Sequence, residues 1–198
     1  MNLFIYLAVF VFLTSCSSTN DKLNIFVNPP KNIVTIENKH AIFLSPESFK
    51  IKKEINSEDC ESWRLNYNFK KLFINSYTKL LNSMFENIVF IDSESLSKEE
   101  ANKKFASFIN FKENIFFLDF KTVRNTGKLR VSLTSNFIVE GNNKIVKNTI
   151  KSEQSWEKNV YFNCNVVKGA SKISSIAFES HMNQAHEKIY SSIKNIVR

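Results

Sequence analysis

The chain has 198 residues, a formal net charge of +8, 43% hydrophobic residues, and only 3 Gly and 3 Pro. That composition excludes a collagen-like repeat and argues against a long disordered tail, and no internal repeat, phosphate-binding loop, dinucleotide fingerprint or G-x-S-x-G elbow is present. The positive charge is nearly all lysine, with arginine only at Arg64, Arg124, Arg130 and Arg198; no arginine-rich run or aromatic–basic interleaving supports nucleic acid as a partner.

Leu3 to Leu13 is an unbroken apolar run, preceded only by Met1-Asn2. It fits the hydrophobic segment of a secretory signal and is too short to span a bilayer. The run closes on Leu13-Thr14-Ser15-Cys16, which resembles the lipobox of bacterial lipoproteins. The absence of Lys or Arg before the run departs from the usual basic start. The resemblance implies a signal peptide over residues 1–15, removed on export, and a mature chain whose Cys16 carries diacylglycerol on sulfur and an acyl chain such as palmitate on its amino group. Ser17, where an aspartate would retain the protein elsewhere, implies the outer membrane, facing the periplasm. A plain signal peptide with a chance cysteine, or an amino-terminal anchor helix, is the alternative.

Residues 16–32 read as a lipidated tether, since Asn28-Pro29-Pro30 lacks two amide donors and cannot sit inside a regular ladder. Residues 33–198 then form a single periplasmic domain, large enough for a substantial core. A strand pair is expected at Ile33–Ile36 and His40–Leu44, followed by a polar, lysine-rich surface loop over 47–60. Leu65, Phe69, Leu72, Phe73, Leu80 and Met84 recur at three- and four-residue spacing and predict a helix over 62–86, capped by Ser62 or Asp59. Ile88–Ile91 reads as a short buried strand. Ser97 and Glu100 have capping-box spacing and predict a short helix to about Lys104.

From Phe108 the period changes towards two. One aromatic-rich strand runs to Val123, bent near 112–114. A second alternates Leu129, Val131, Leu133, Phe137 and Val139 against polar neighbours, and a third runs from Lys144 to Trp156. Turns at Asn125-Thr126-Gly127 and Gly141-Asn142-Asn143 make these an antiparallel meander. Gly169 to Val197 is a long closing helix, with Ile173, Ile176, Ala177, Ala185, Ile189, Ile193 and Val197 on one side. The expected fold is α+β, a mostly antiparallel sheet with two long amphipathic helices packed on one face.

With Cys16 assigned to lipid, Cys60 and Cys164 remain, and an even pair in an oxidising compartment reads as a disulfide. Two free thiols, or half of a metal site, are the alternatives; no second cysteine or histidine flanks either, so zinc is poorly supported. His40, His181 and His186 are the only histidines, and the five-residue spacing of the last two does not suit ligands at i and i+4. Trp63 and Trp156 flank structural transitions, where indoles pack core edges. No catalytic constellation stands out, and neither an enzyme activity nor a cofactor is expected.

The segments EDCESWRLNYNFKKLFINSYTKLLNSMFENIVFID and CNVVKGASKISSIAFESHMNQAHEKIYSSI resemble the helix–strand unit and the cysteine-then-helix end of lipoproteins with the TolB amino-terminal-domain-like fold, such as penicillin-binding-protein activators. The count of strands and helices is also similar to that of the lipopolysaccharide-assembly lipoprotein that plugs an outer-membrane barrel. The first resemblance implies a non-catalytic envelope module that docks on a protein partner or the cell wall. The second implies a lipid- or lipopolysaccharide-handling module, for which a basic surface suits an anionic glycolipid.

Overall fold

A computed structural model describes residues 23, 25–56, 67–92, 104–159 and 166–197 of the chain. Cys16, Cys60, Cys164 and Trp63 lie outside the described residues, as do the apolar amino-terminal run and the capping box at Ser97 and Glu100.

The meander predicted for the second half is present and dominates the fold. Strands β4 (Ser107–Val123), β5 (Thr126–Gly141) and β6 (Lys144–Asn159) pair antiparallel through two tight turns. Along β5, Leu129, Val131, Leu133, Ser135, Phe137 and Val139 are all buried while the residues between them are not, the two-residue period of a sheet with one dry face. The bend expected near 112–114 is a bulge between Phe111 and Glu113. It switches the parity of β4: Phe111 lies opposite Phe137, and Asn114, not Glu113, lies opposite Ser135. The extra residue lets both halves of a long strand direct apolar side chains into one core.

The first half differs from expectation. A single strand β1 (Ile36–Phe43) replaces the predicted strand pair, with Asn38 at φ 73° where the register with β3 slips. The segment expected to be a surface loop folds, after one 3-10 turn at Pro46–Ser48, into β2 (Phe49–Asn56). Helix α1 (Phe69–Met84) starts at Asn68, whose side chain accepts from Lys71 N–H at 2.9 Å. It passes directly into β3 (Phe85–Ile91). The sheet has six strands in the order β3-β1-β4-β5-β6, with β2 pairing β4 beyond β1. The β1–β3, β1–β4 and β2–β4 pairings are all parallel, so the sheet is mixed rather than mostly antiparallel. Parallel neighbours need a crossover, and α1 supplies the one between β1 and β3.

Helix α2 (Val167–Val197) closes the chain and, at 31 residues, is about 46 Å long. Small side chains on its buried face (Ala170, Ser174, Ala177, Ala185, Ser192) allow close approach to the sheet, where Ser152 Oγ donates to the Ala177 carbonyl at 2.9 Å. Its buried stripe runs through Phe178, His181 and Met182, while Ile176 and Val197, expected on it, are exposed. Both helices lie on one face of the sheet, as expected, and the described residues include no helix long and apolar enough to cross a membrane.

Candidate functional site

Where α1, α2 and β5 meet, three polar side chains converge inside the core. Tyr77 Oη lies 2.8 Å from Ser135 Oγ and 3.0 Å from His181 Nε2, and Ser135 Oγ lies 2.8 Å from the same nitrogen. All three residues are 0% exposed. The edges of Phe73 and Tyr77 meet the imidazole nearly at right angles. Burial strips the ring of solvent, lowering the His181 pKa to about 3, and raises that of the Tyr77 phenol well above its ordinary value. A hydroxyl beside a neutral imidazole is the raw material of nucleophilic catalysis, but this one has no exposed surface. It ties both helices to the central sheet.

His40 makes the corresponding tie at the other end. Its Nε2 lies 2.8 Å from the Glu37 carbonyl and must therefore carry the proton, leaving Nδ1 to accept from Ser107 Oγ at 2.8 Å. The ring packs on Phe85, so one side chain on β1 secures both parallel neighbours, β3 and β4. Burial lowers the pKa of His40, opposed in part by the bond to Glu37. His186 stacks on Tyr190 along α2. The described residues include no cluster of three His, Cys, Asp or Glu side chains able to hold a metal ion.

The polar face of the meander carries a ladder of charge pairs. Lys128 meets Glu157 at 2.9 Å, Lys151 meets Glu153 at 3.2 Å, and Arg130 reaches Asp119 and Glu153 at 3.5 and 3.8 Å. The guanidinium of Arg130 also lies 5.5 Å from the centre of the Phe117 ring. These pairs offset much of the local charge. By contrast, α1 carries Lys70, Lys71 and Lys79 with no acidic residue.

A concave feature lies beside α1. Residues 25–30, part of the predicted tether, run as an extended strap along α2. Phe26 N–H donates to Ser175 Oγ at 3.1 Å, and Asn28 donates to Glu179, one helical turn further on. Leu23 and Ile25 are buried in the core. Between strap and α1 is a groove of about 520 Å³, floored by Leu72, Leu80 and Met182 and bordered by Asn75, Lys79 and Phe26. A smaller hollow of about 310 Å³ separates Val34 and Ile36 from Tyr190 and Val197. The sequence signals the strap only weakly, through the short apolar run Ile25-Phe26-Val27 before the prolines. It signals the buried Tyr77–Ser135–His181 contact not at all, because the three residues are distant in the chain.

No protein-family model matches the chain, and no curated protein matches it. Solved structures do resemble it. A minor lipoprotein from Acinetobacter baumannii is 11% identical, with a TM-score of 0.40 and coverage of 71% of this chain and 91% of its own. A DUF330 protein from Xanthomonas campestris is 7% identical, with a TM-score of 0.40 and coverage of 85% and 91%. A protein described as a homolog of the neuraminyllactose-binding hemagglutinin, from Helicobacter pylori, is 12% identical, with a TM-score of 0.45 and coverage of 85% and 95%. At these scores the likenesses carry nothing about role.

Proposed function

We propose that this chain is a lipid-anchored envelope lipoprotein that works without catalysis, as an interaction or accessory module on the periplasmic face of the outer membrane. The observation that carries this reading is Leu13-Thr14-Ser15-Cys16 at the end of an apolar run. A second feature supports it: the histidine–hydroxyl clusters are buried where they serve packing. Cys60 and Cys164 complete the proposal as a disulfide formed after export. The partner in this reading is another envelope protein. The kinship with TolB amino-terminal-domain-like lipoproteins belongs to the same proposal and rests on the order of elements alone.

The groove beside α1 favours one alternative, a lipid- or lipopolysaccharide-handling module, because its floor is apolar and Lys79 stands at its border. Feeding cells an alkyne analogue of palmitate separates these readings from a non-lipoprotein. The full chain takes up the label and fractionates with outer membrane, whereas the Cys16→Ser chain does neither. A wild-type chain that stays unlabelled and keeps residues 1–15 overturns the lipoprotein reading. Partners that co-purify with the detergent-extracted protein then distinguish a wall or envelope protein from a lipid-transport barrel.

A further inference from the structure

The proposed anchor restricts how the domain can sit on its membrane. Only six residues, 17–22, separate Cys16 from Leu23, which is buried in the core. A fully extended chain covers at most about 25 Å over those seven steps, well short of the roughly 46 Å length of α2. The strap runs in the same direction as α2, from Ser175 at Phe26 to Glu179 at Asn28. Leu23 therefore lies towards the amino-terminal end of α2. The other end of that helix, where Asn142 donates to the Ile196 carbonyl, lies about 30 Å beyond Ser175.

What the domain presents near the anchor suits a lipid surface. Phe26 is 66% exposed on the strap. Beside it opens the groove floored by Leu72, Leu80 and Met182, and the exposed side of α1 carries Lys71 and Lys79 with no acidic residue on that helix. An exposed aromatic flanked by lysines on a helix lies at the boundary between headgroups and acyl chains, the ring in the apolar layer and the ammonium groups on phosphates. Resting on the lipoprotein reading, we propose that the strap and the adjoining side of α1 dock on the phospholipid bilayer that holds Cys16, with Phe26 and the groove taking acyl-chain surface and Lys71 and Lys79 taking anionic headgroups. The hairpin between β5 and β6, at the far end of α2, then lies well away from the anchored residue.

The test uses the full, lipidated chain in vesicles of phosphatidylethanolamine and phosphatidylglycerol, with a photo-crosslinking phenylalanine analogue placed at position 26 or, for comparison, at the exposed position 145 on β6. Phospholipid adducts are expected at position 26 and not at 145. The Lys71→Glu/Lys79→Glu chain should lose at least about fivefold of the yield at 26, the factor that a single lysine near an anionic surface supplies. Equal yields at the two positions, adducts at 26 to a second copy of the chain, or no adduct at 26, each with acylated Cys16, overturn the docking and leave the lipoprotein reading intact. A mass showing Cys16 unmodified overturns both.

Discussion

Trp156 on β6 lies flat against Gly169 at the start of α2, so that a Cβ on Gly169 would come within 2.6 Å of the indole. The contact explains why a glycine is used in the first turn of a helix, where alanine is intrinsically better by about 1 kcal/mol. It also sets how closely the amino-terminal end of α2 approaches the end of the meander.

Gly169→Ala is therefore expected to lower stability, by about 1–3 kcal/mol for an overpacked contact, despite the gain in helix propensity. Urea denaturation measures it. Replacing Trp156 with Leu in the same chain should recover part of the loss. A Gly169→Ala protein as stable as the parent would show that the indole moves aside freely.

The buried trio should behave as a coupled unit. Tyr77→Phe and Ser135→Ala each remove one hydroxyl while leaving His181 another partner, so each is expected to cost about 1 kcal/mol. The double variant should depart from the sum of the two, because residues sharing one hydrogen-bond network are not independent. Strict additivity in a double-mutant cycle would count against the network.

Stability should fall with acid well above the usual carboxylate range. The His181 pKa is lowered from 6.5 in the unfolded chain to about 3 in the folded one, by burial. The unfolded state therefore binds the proton first. This contribution is complete above about pH 6.5 and is lost progressively as pH falls towards 3. By pH 5 the loss amounts to about 2 kcal/mol. His40 is shifted the same way and adds to the trend. Melting temperatures between pH 4 and 8 should trace this slope, and His181→Gln should flatten it even if the variant is less stable throughout.

The two hairpins differ in how well their residues suit them. Asn142 and Asn143 both have positive φ, at 47° and 59°, as a two-residue turn between right-twisted strands requires, and asparagine tolerates it. Arg124, at φ 47°, has no side-chain chemistry suited to that region. Arg124→Gly should raise the melting temperature, by about 0.5 kcal/mol of stability after the entropic cost of glycine, whereas Asn143→Val should lower it. The reverse order would contradict the turn geometry.

The elements legible in the sequence were those whose own pattern is strong. The meander, its bend near 112–114, the turn at Asn142-Asn143 and the closing helix match the structure. The first turn falls at Arg124-Asn125 rather than 125–127, and the helix expected over 62–86 with a cap at Ser62 or Asp59 begins at Phe69, capped by Asn68, and ends at Met84. The strand β2 was within reach as well: Phe49, Ile51 and Ile55 fall on alternate positions, but Lys50, Lys52, Lys53 and Glu54 read as loop chemistry. Edge strands carry such charges while remaining strands. The strap was missed for a different reason, since its prolines exclude it from a ladder but not from lying along a helix.

Periodicity reports which side of an element is dry, because burial acts on each residue through its own position in the repeat. Thus composition, the lipobox-like segment, the faces of β5 and α1, and the two helices on one sheet face follow from the chain alone. Strand order and direction are properties of the closed structure: nothing in β1 states that it must lie parallel between β3 and β4. Nor does any local pattern bring Tyr77, Ser135 and His181 together. Those relations appear only when all elements compete for one core, where the crossover through α1, the bulge in β4 and the satisfaction of buried polar groups select one arrangement among many with the same amphipathic faces.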